Sequence, residues 1–347
     1  MKHDPRRQAG RPALVGCLLA VLLLVSPVAA AAHGAGPTGW QSTVLAGTGA
    51  AGYAGDGSRA VGAALDAPAG LAADSRGRVY LVDSDNDAIR RVGTDGMIGT
   101  FASTDFTPYG VTVGGDGKVY VSGDGKVVAI TPDARSSSEL LVDAGTYFDV
   151  ALGADGSVYA AAGARGLKRI ARDGAVSSLV PAGVKVTTVA VDGSGRLYAA
   201  GDGKIYRLTG GSARVIVPGG PPGLDVRGLT AVDDGTFYLT SPAAGKLFRV
   251  ARDGTYTVLA DSADGLARPW GTTVGPGGRL YVSDFDGNRV YAGPEPALRP
   301  GDSRRAGIGV VGFDLDLDLD DLDPPLLFAV GAFLVALGGL IVLRVRR

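Results

Sequence analysis

Histidine, cysteine and glutamate are close to missing from this 347-residue chain. The two histidines are His3 and His33, the single cysteine is Cys17, and the two glutamates are Glu139 and Glu295. From residue 40 onward, a zinc site of the usual nitrogen and sulfur ligands has nothing to build on. A serine nucleophile there lacks an imidazole base, and no disulfide can staple the fold. An excess of charge is missing too. The formal net charge is -1, with 34 basic and 35 acidic residues, so the basic stripe of a nucleic-acid-binding domain is lacking. The carboxylates are nearly all aspartate, and glycine occurs 56 times. Both favour turns over helices, since Asp satisfies nearby backbone N–H groups and Gly accepts positive φ.

A repeat fills the space these absences leave. A Gly-x-apolar-Tyr phrase recurs at Tyr80, Tyr120, Tyr159, Tyr198, Tyr238 and Tyr281, with spacings of 40, 39, 39, 40 and 43 residues. A strand-like period near 40 predicts a β-propeller. Before each Tyr lies a further strand, headed by Gly70, Gly110, Asp149, Thr188, Gly228 and Gly271, that ends in an Asp/Gly turn. After each Tyr comes a third strand, and in five repeats a fourth; the sixth repeat lacks one, since the chain passes from Tyr291 into GPEPALRPG. The missing piece stands at the front, where Ser42–Ala46 (STVLA) fits the fourth-strand pattern. The expected fold is therefore all-β: a six-bladed β-propeller over residues 40–293, with an N-terminal strand closing the last blade.

The ends carry targeting signals. Residues 1–32 combine Lys2, Arg6, Arg7 and Arg11, an apolar run from Ala13 to Val25, and SPVAAAA. This reads as a signal peptide cleaved after Ala30 or Ala32. Cys17 lies ahead of most of the apolar run, which argues against a lipidation site. Residues 326–343 are uninterrupted apolar or Gly positions, followed by Arg344, Arg346 and Arg347. At about 1.5 Å per residue the run matches a bilayer core, predicting a C-terminal transmembrane helix. Residues 344–347 then form a basic cytoplasmic tail, with the propeller extracytoplasmic on a single-pass cell-membrane protein. Between propeller and helix, residues 294–325 begin rich in Pro and Gly and then read FDLDLDLDDLDPP, an acidic, self-repelling linker.

The segment AGTGAAGYAGDGSRAVGAALDAPAGLAADSRGRVYLVDSDNDAIRR, Ala46 to Arg91, resembles the NHL repeat family. The resemblance rests on Gly55-Asp56-Gly57, Leu65-Asp66-Ala67-Pro68-Ala69-Gly70, Tyr80, Asp83-Ser84-Asp85-Asn86 and Arg90-Arg91. Pro269-Trp270-Gly271, Tyr281, Asp284 and Asn288-Arg289 echo it, while the middle four repeats keep the rhythm and lose most of the signature. The resemblance implies the propeller fold and leaves the activity open. Lyases among such propellers are expected to use channel histidines, which this chain lacks. Lactonase-like propellers hold calcium through Glu, Asn and Asp. Here Glu139 heads a fourth strand, and Asn86 and Asn288 lie in second-to-third-strand loops. The alternate carboxylates Asp83, Asp85 and Asp87 lack the Gly and distal Glu of an EF-hand loop and read as turn chemistry.

No catalytic residue, metal site or cofactor is expected. The residue before each first strand should ring the channel mouth: Ala69, Tyr109, Phe148, Thr187, Arg227 and Trp270. Of these, Tyr109, Phe148, Arg227 and Trp270 are the candidate ligand-binding residues, because aromatic faces beside a cation suit a sugar, a peptide or an anionic polymer. The alternative role of these side chains is to plug the channel. The function expected is binding or scaffolding toward a protein or cell-envelope polymer, with membrane contact through the C-terminal helix and no nucleic-acid partner. The competing reading is a divalent-metal lactonase or hydrolase.

Overall fold

A computed structural model describes residues 40–180, 184–210, 212–217, 224–232, 235–251 and 254–294, with the backbone of 304–305. The expected signal peptide (1–32), transmembrane helix (326–343), tail (344–347) and nearly all of the 294–325 linker lie outside the described residues. Among the described residues no helix is long and apolar enough to cross a membrane.

The described chain forms six antiparallel sheets arranged as the blades of a propeller. The innermost strands are Pro68–Ala73, Pro108–Val113, Asp149–Leu152, Thr188–Val191, Gly228–Ala231 and Pro269–Gly275. Tyr80, Tyr120, Tyr159, Tyr198, Tyr238 and Tyr281 stand on the second strands. Blade 6 is closed by Thr43–Ala46, which pairs Thr43 with Ala292 and Val44 with Tyr291. Trp40 reinforces the closure by donating its indole N–H to Pro294 O at 3.1 Å. In blade 2, Val119–Ile130 is one continuous extended stretch whose first half pairs with the innermost strand and whose second half pairs with the outermost.

The repeated tyrosine has a packing role. Among the described residues, six clusters of buried side chains lie one at each blade–blade junction. Each motif Tyr belongs to the cluster shared with the following blade: Tyr80 packs toward blade 2, Tyr198 toward blade 5, and Tyr281 back toward blade 1. Tyr80 meets Phe101 edge-on at 5.2 Å and Tyr198 meets Phe237 at 5.0 Å, geometries that aromatic quadrupoles favour.

The NHL-like signature also has a mechanical reading. Closing the ring with an N-terminal strand obliges residues 47–67 to cross from the rim of blade 6 to the innermost strand of blade 1. The signature residues hold that crossing. Asn288 Oδ1 accepts from Ala67 N, Asn86 Nδ2 donates to Gly52 O, and Arg289 donates to Thr48 O. Fully buried Arg90 reaches Asp56 at 2.6 Å and Asp83 at 3.1 Å and donates to Ala54 O. Asp83 Oδ1 accepts from Asp66 N. The outer-to-inner connections into the middle blades, such as 104–107 and 147–148, are shorter, so there is less chain to clamp where the signature weakens.

Candidate functional site: the channel and its mouth

The six innermost strands surround a central channel. At equivalent positions near the start of these strands stand Gly70, Gly110, Asp149, Thr188, Gly228 and Gly271. Glycine is required where the next blade presses close. A Cβ on Gly70 would lie 2.6 Å from Tyr109 O, one on Gly110 2.6 Å from Asp149 Cα, and one on Gly228 2.5 Å from Trp270 O. Buried hydroxyls stitch the same ring. Ser84 Oγ donates to Pro108 O, Thr187 Oγ1 to Val226 O, Thr240 Oγ1 to Trp270 O, and Ser283 Oγ to Ala69 O.

Blades 3 and 4 depart from the glycine pattern and pair with each other. Thr188 Oγ1 donates to Asp149 Oδ2 at 2.6 Å, Val189 N donates to the same oxygen, and Val150 N donates to Oδ1. Asp149 is surrounded by protein yet still touched by channel solvent. Burial pushes its carboxyl up to about 6, and the Thr188, Val189 and Val150 donors offset only part of that rise. Sequence reasoning missed this group, although the list of strand heads marks it: Asp149 is the only acid among them.

Folding raises the affinity of Asp149 for a proton, so its stabilising contribution is full below pH 3.8 and is lost as pH rises through about 6. We expect the urea midpoint at pH 7.5 to lie below that at pH 5. After discounting for channel water, the corresponding loss of stability is about 1 kcal/mol or less, and it should shrink in Asp149→Asn. An unchanged slope in the variant would assign the pH dependence to another group.

Four of the six positions expected at the mouth line the channel: Tyr109, Phe148, Arg227 and Trp270. Two do not, which corrects the six-membered ring. Ala69 is fully buried, and Thr187 turns into the blade junction to donate to Ala200 O and Val226 O. The four form one connected roof. The Arg227 guanidinium lies 5.3 Å from the Phe148 ring centre and 5.0 Å from that of Trp270. Tyr109 leans on Phe148 at 6.2 Å. On its other side Trp270 stacks on Phe285 at 4.7 Å, and Arg268 lies over both rings.

The roof has two electrical sides. Arg227 and Arg268 pair with Asp225 and Asp286, each at 3.3 Å. Across the mouth, Tyr109 donates to Asp124. Its phenol is held above the ordinary range by burial and then by Asp124, Asp85 and Asp87. Burial, with Asp66 and Asp87 nearby, also raises the Asp85 carboxyl. The space beneath the roof is about 170 Å³, below the roughly 300–1,000 Å³ of small-molecule sites. A ligand of that size therefore meets the roof rather than the channel interior.

The lactonase-type donor set does not assemble. Glu139 pairs with Lys126 on the outer strand of blade 2, and Asn86 and Asn288 are occupied by the backbone of the 47–67 crossing. Asp149 is the one acid lining the channel among the described residues, and no group of three His, Cys, Asp or Glu side chains there is placed to hold a metal ion. These residues do not fit a divalent ion held by several carboxylates.

Comparison with known proteins agrees with this architecture. Residues 42–105 match the Teneurin NHL domain, and residues 266–290 match the NHL repeat. The chain is an NHL-repeat β-propeller. The two matched stretches of this NHL propeller are the ring-closing crossing with blade 1, and the part of blade 6 that echoes it. No curated protein matches its sequence. Among solved structures it resembles virginiamycin B lyase from Staphylococcus aureus, with TM-score 0.51 and 19% identity over 67% of this chain and 85% of that one. It also resembles a gluconolactonase from Xanthomonas campestris, with TM-score 0.57 and 12% identity over 67% and 87%. A third is the PQQ-bound aldose sugar dehydrogenase from Streptomyces coelicolor, with TM-score 0.55 and 14% identity over 74% and 98%. At these identities the likeness is one of fold.

Proposed function

We propose that this NHL propeller is a membrane-anchored, extracytoplasmic binding or scaffolding protein whose channel mouth recognises a protein or a cell-envelope polymer. The observation that carries the reading is the roof: Arg227 sandwiched between Phe148 and Trp270, continued by Tyr109. Stacked rings fix the guanidinium at low entropic cost and offer flat apolar faces beside charge, a surface suited to sugars and peptides. The arginine–aspartate pairs on one side and the carboxylates near Tyr109 on the other favour a ligand bearing charge as well as flat or apolar groups. The anchor rests on the apolar run at 326–343 and the arginines after it.

The test is capture from envelope extract by the full chain in detergent, beside a Tyr109→Ala/Trp270→Ala variant shown to be folded. Because hot-spot aromatics carry a large share of binding energy, the variant should retain less than about a tenth of the captured partner. Equal capture by both proteins would make the roof a plug and move the site elsewhere.

A second reading, a lactonase or hydrolase, is favoured by Asp149, a desolvated carboxylate in the channel wall. The fold likeness to a gluconolactonase adds to it. Turnover of a simple lactone by the wild type, abolished in Asp149→Asn, would replace the binding reading with this one.

A further inference from the structure

A second cleft opens between blades 3 and 4, at the end of the blades away from the channel mouth. Its volume is about 480 Å³, within the range of ligand sites. Tyr159 and Arg169 of blade 3 and Arg196, Leu197, Arg207 and Leu208 of blade 4 line it. Three guanidiniums thus stand over an apolar floor. Arg169 pairs with Asp155 at 2.9 Å, and Arg196 pairs with Asp192, whose carboxylate is buried and also accepts from Ser194 N and Arg196 N. Among the described residues no ion pair involves Arg207, and its direct cross-strand neighbour is Arg214. Like charges placed opposite each other on a sheet are destabilising, so this corner is poised for an anion. The matching ligand alternates acidic and apolar side chains along an extended backbone.

The chain contains such a segment. Residues 313–323, outside the described residues, read FDLDLDLDDLD. Upstream of it, Arg304–Arg305 pairs antiparallel with the outer strand of blade 5, Arg304 against Tyr256 and Arg305 against Thr255. That direction carries the chain toward the turn at Gly254, the same end of the propeller as the Leu208–Gly210 wall of the cleft. Blade 4 is the neighbour of blade 5. The seven residues between Arg305 and Phe313 span up to about 25 Å when extended.

We propose that the acidic Leu–Asp run docks in this cleft, its carboxylates on Arg169, Arg196 and Arg207 and its leucines on Tyr159, Leu197 and Leu208. Exposed ion pairs alone contribute little; leucine burial and the high effective concentration of a tethered segment supply the rest. Only Pro324 and Pro325 separate the run from the apolar stretch at 326–343. On the single-pass reading, docking turns the cleft toward the membrane and the channel mouth away from it.

The test is hydrogen–deuterium exchange on the full chain in detergent micelles. Amides of 314–322 should exchange at least about tenfold more slowly than a free chain, as docked backbone does. Protection should disappear in Arg169→Gln/Arg207→Gln. It should also disappear in Leu315→Ser/Leu317→Ser/Leu319→Ser, which leaves every propeller residue in place. Free-chain exchange in the wild type overturns the proposal, and so does protection that survives the arginine variant.

Discussion

Gly70→Val should cost about 3 kcal/mol of stability, the upper part of the range for overpacking. Two effects of opposite sign meet at this position. Valine is the better strand former, an advantage of at most about 1 kcal/mol. Against it, the first added carbon would lie 2.6 Å from Tyr109 O, 2.9 Å from Gly110 Cα and 2.9 Å from Val111 N. All three are backbone atoms of the next blade, so no side chain can rotate away. The ring is closed, and blade 1 cannot retreat from blade 2 without pressing on blade 6. Gly115→Ala is the control: nothing lies within 4 Å of its added carbon and its φ is not positive, so the change should stay within about 0.5 kcal/mol. Chemical denaturation of the three proteins decides it. A near-neutral Gly70→Val would mean that the blades separate easily at the channel.

The sequence made the periodic features readable and hid those that depend on a neighbouring blade. Six tyrosines, their turns and the displaced STVLA strand announce blades and closure, because period and turn chemistry are local properties. The roof was legible because it follows from strand order: Tyr109, Phe148, Arg227 and Trp270 occupy equivalent positions. Thr187 occupies one too, yet bonds into the blade junction, since its hydroxyl finds a carbonyl acceptor in the next blade. Whether an equivalent residue faces the channel depends on that contact, which spacing does not reveal. The covered outer edges were hidden for the same reason. Ser58–Arg59 lies on the rim of blade 1 and Arg304–Arg305 on that of blade 5, and two-residue strands carry no periodic signal.

Arg90→Met should destabilise the protein by about 3–5 kcal/mol, the range for removing one partner of a buried ion pair. Asp83 and Arg90 are both fully buried, and Asp56, the second carboxylate on Arg90, is about half exposed. The loss at Asp56 is therefore small, and the cost lies in leaving Asp83 charged without its cation. Burial already raises the Asp83 carboxyl, opposed by Asp66 N–H, Asn86 and Arg90. Without the guanidinium it rises further, so the folded variant binds a proton more tightly than the unfolded chain does. The sign is fixed by that difference: the defect should be largest at neutral pH and should shrink as pH falls. Asp83→Asn/Arg90→Met should recover much of the loss, because the amide oxygen can still accept from Asp66 N while no charge is buried. The crossing supplies an independent readout. Arg90 also donates to Ala54 O and Asp56, so Arg90→Met should make residues 50–58 susceptible to limited proteolysis at concentrations that leave the wild type intact. If the single variant is destabilised but its crossing stays protected, Asn86, Asn288 and Arg289 hold the ring-closing segment without help from the buried pair.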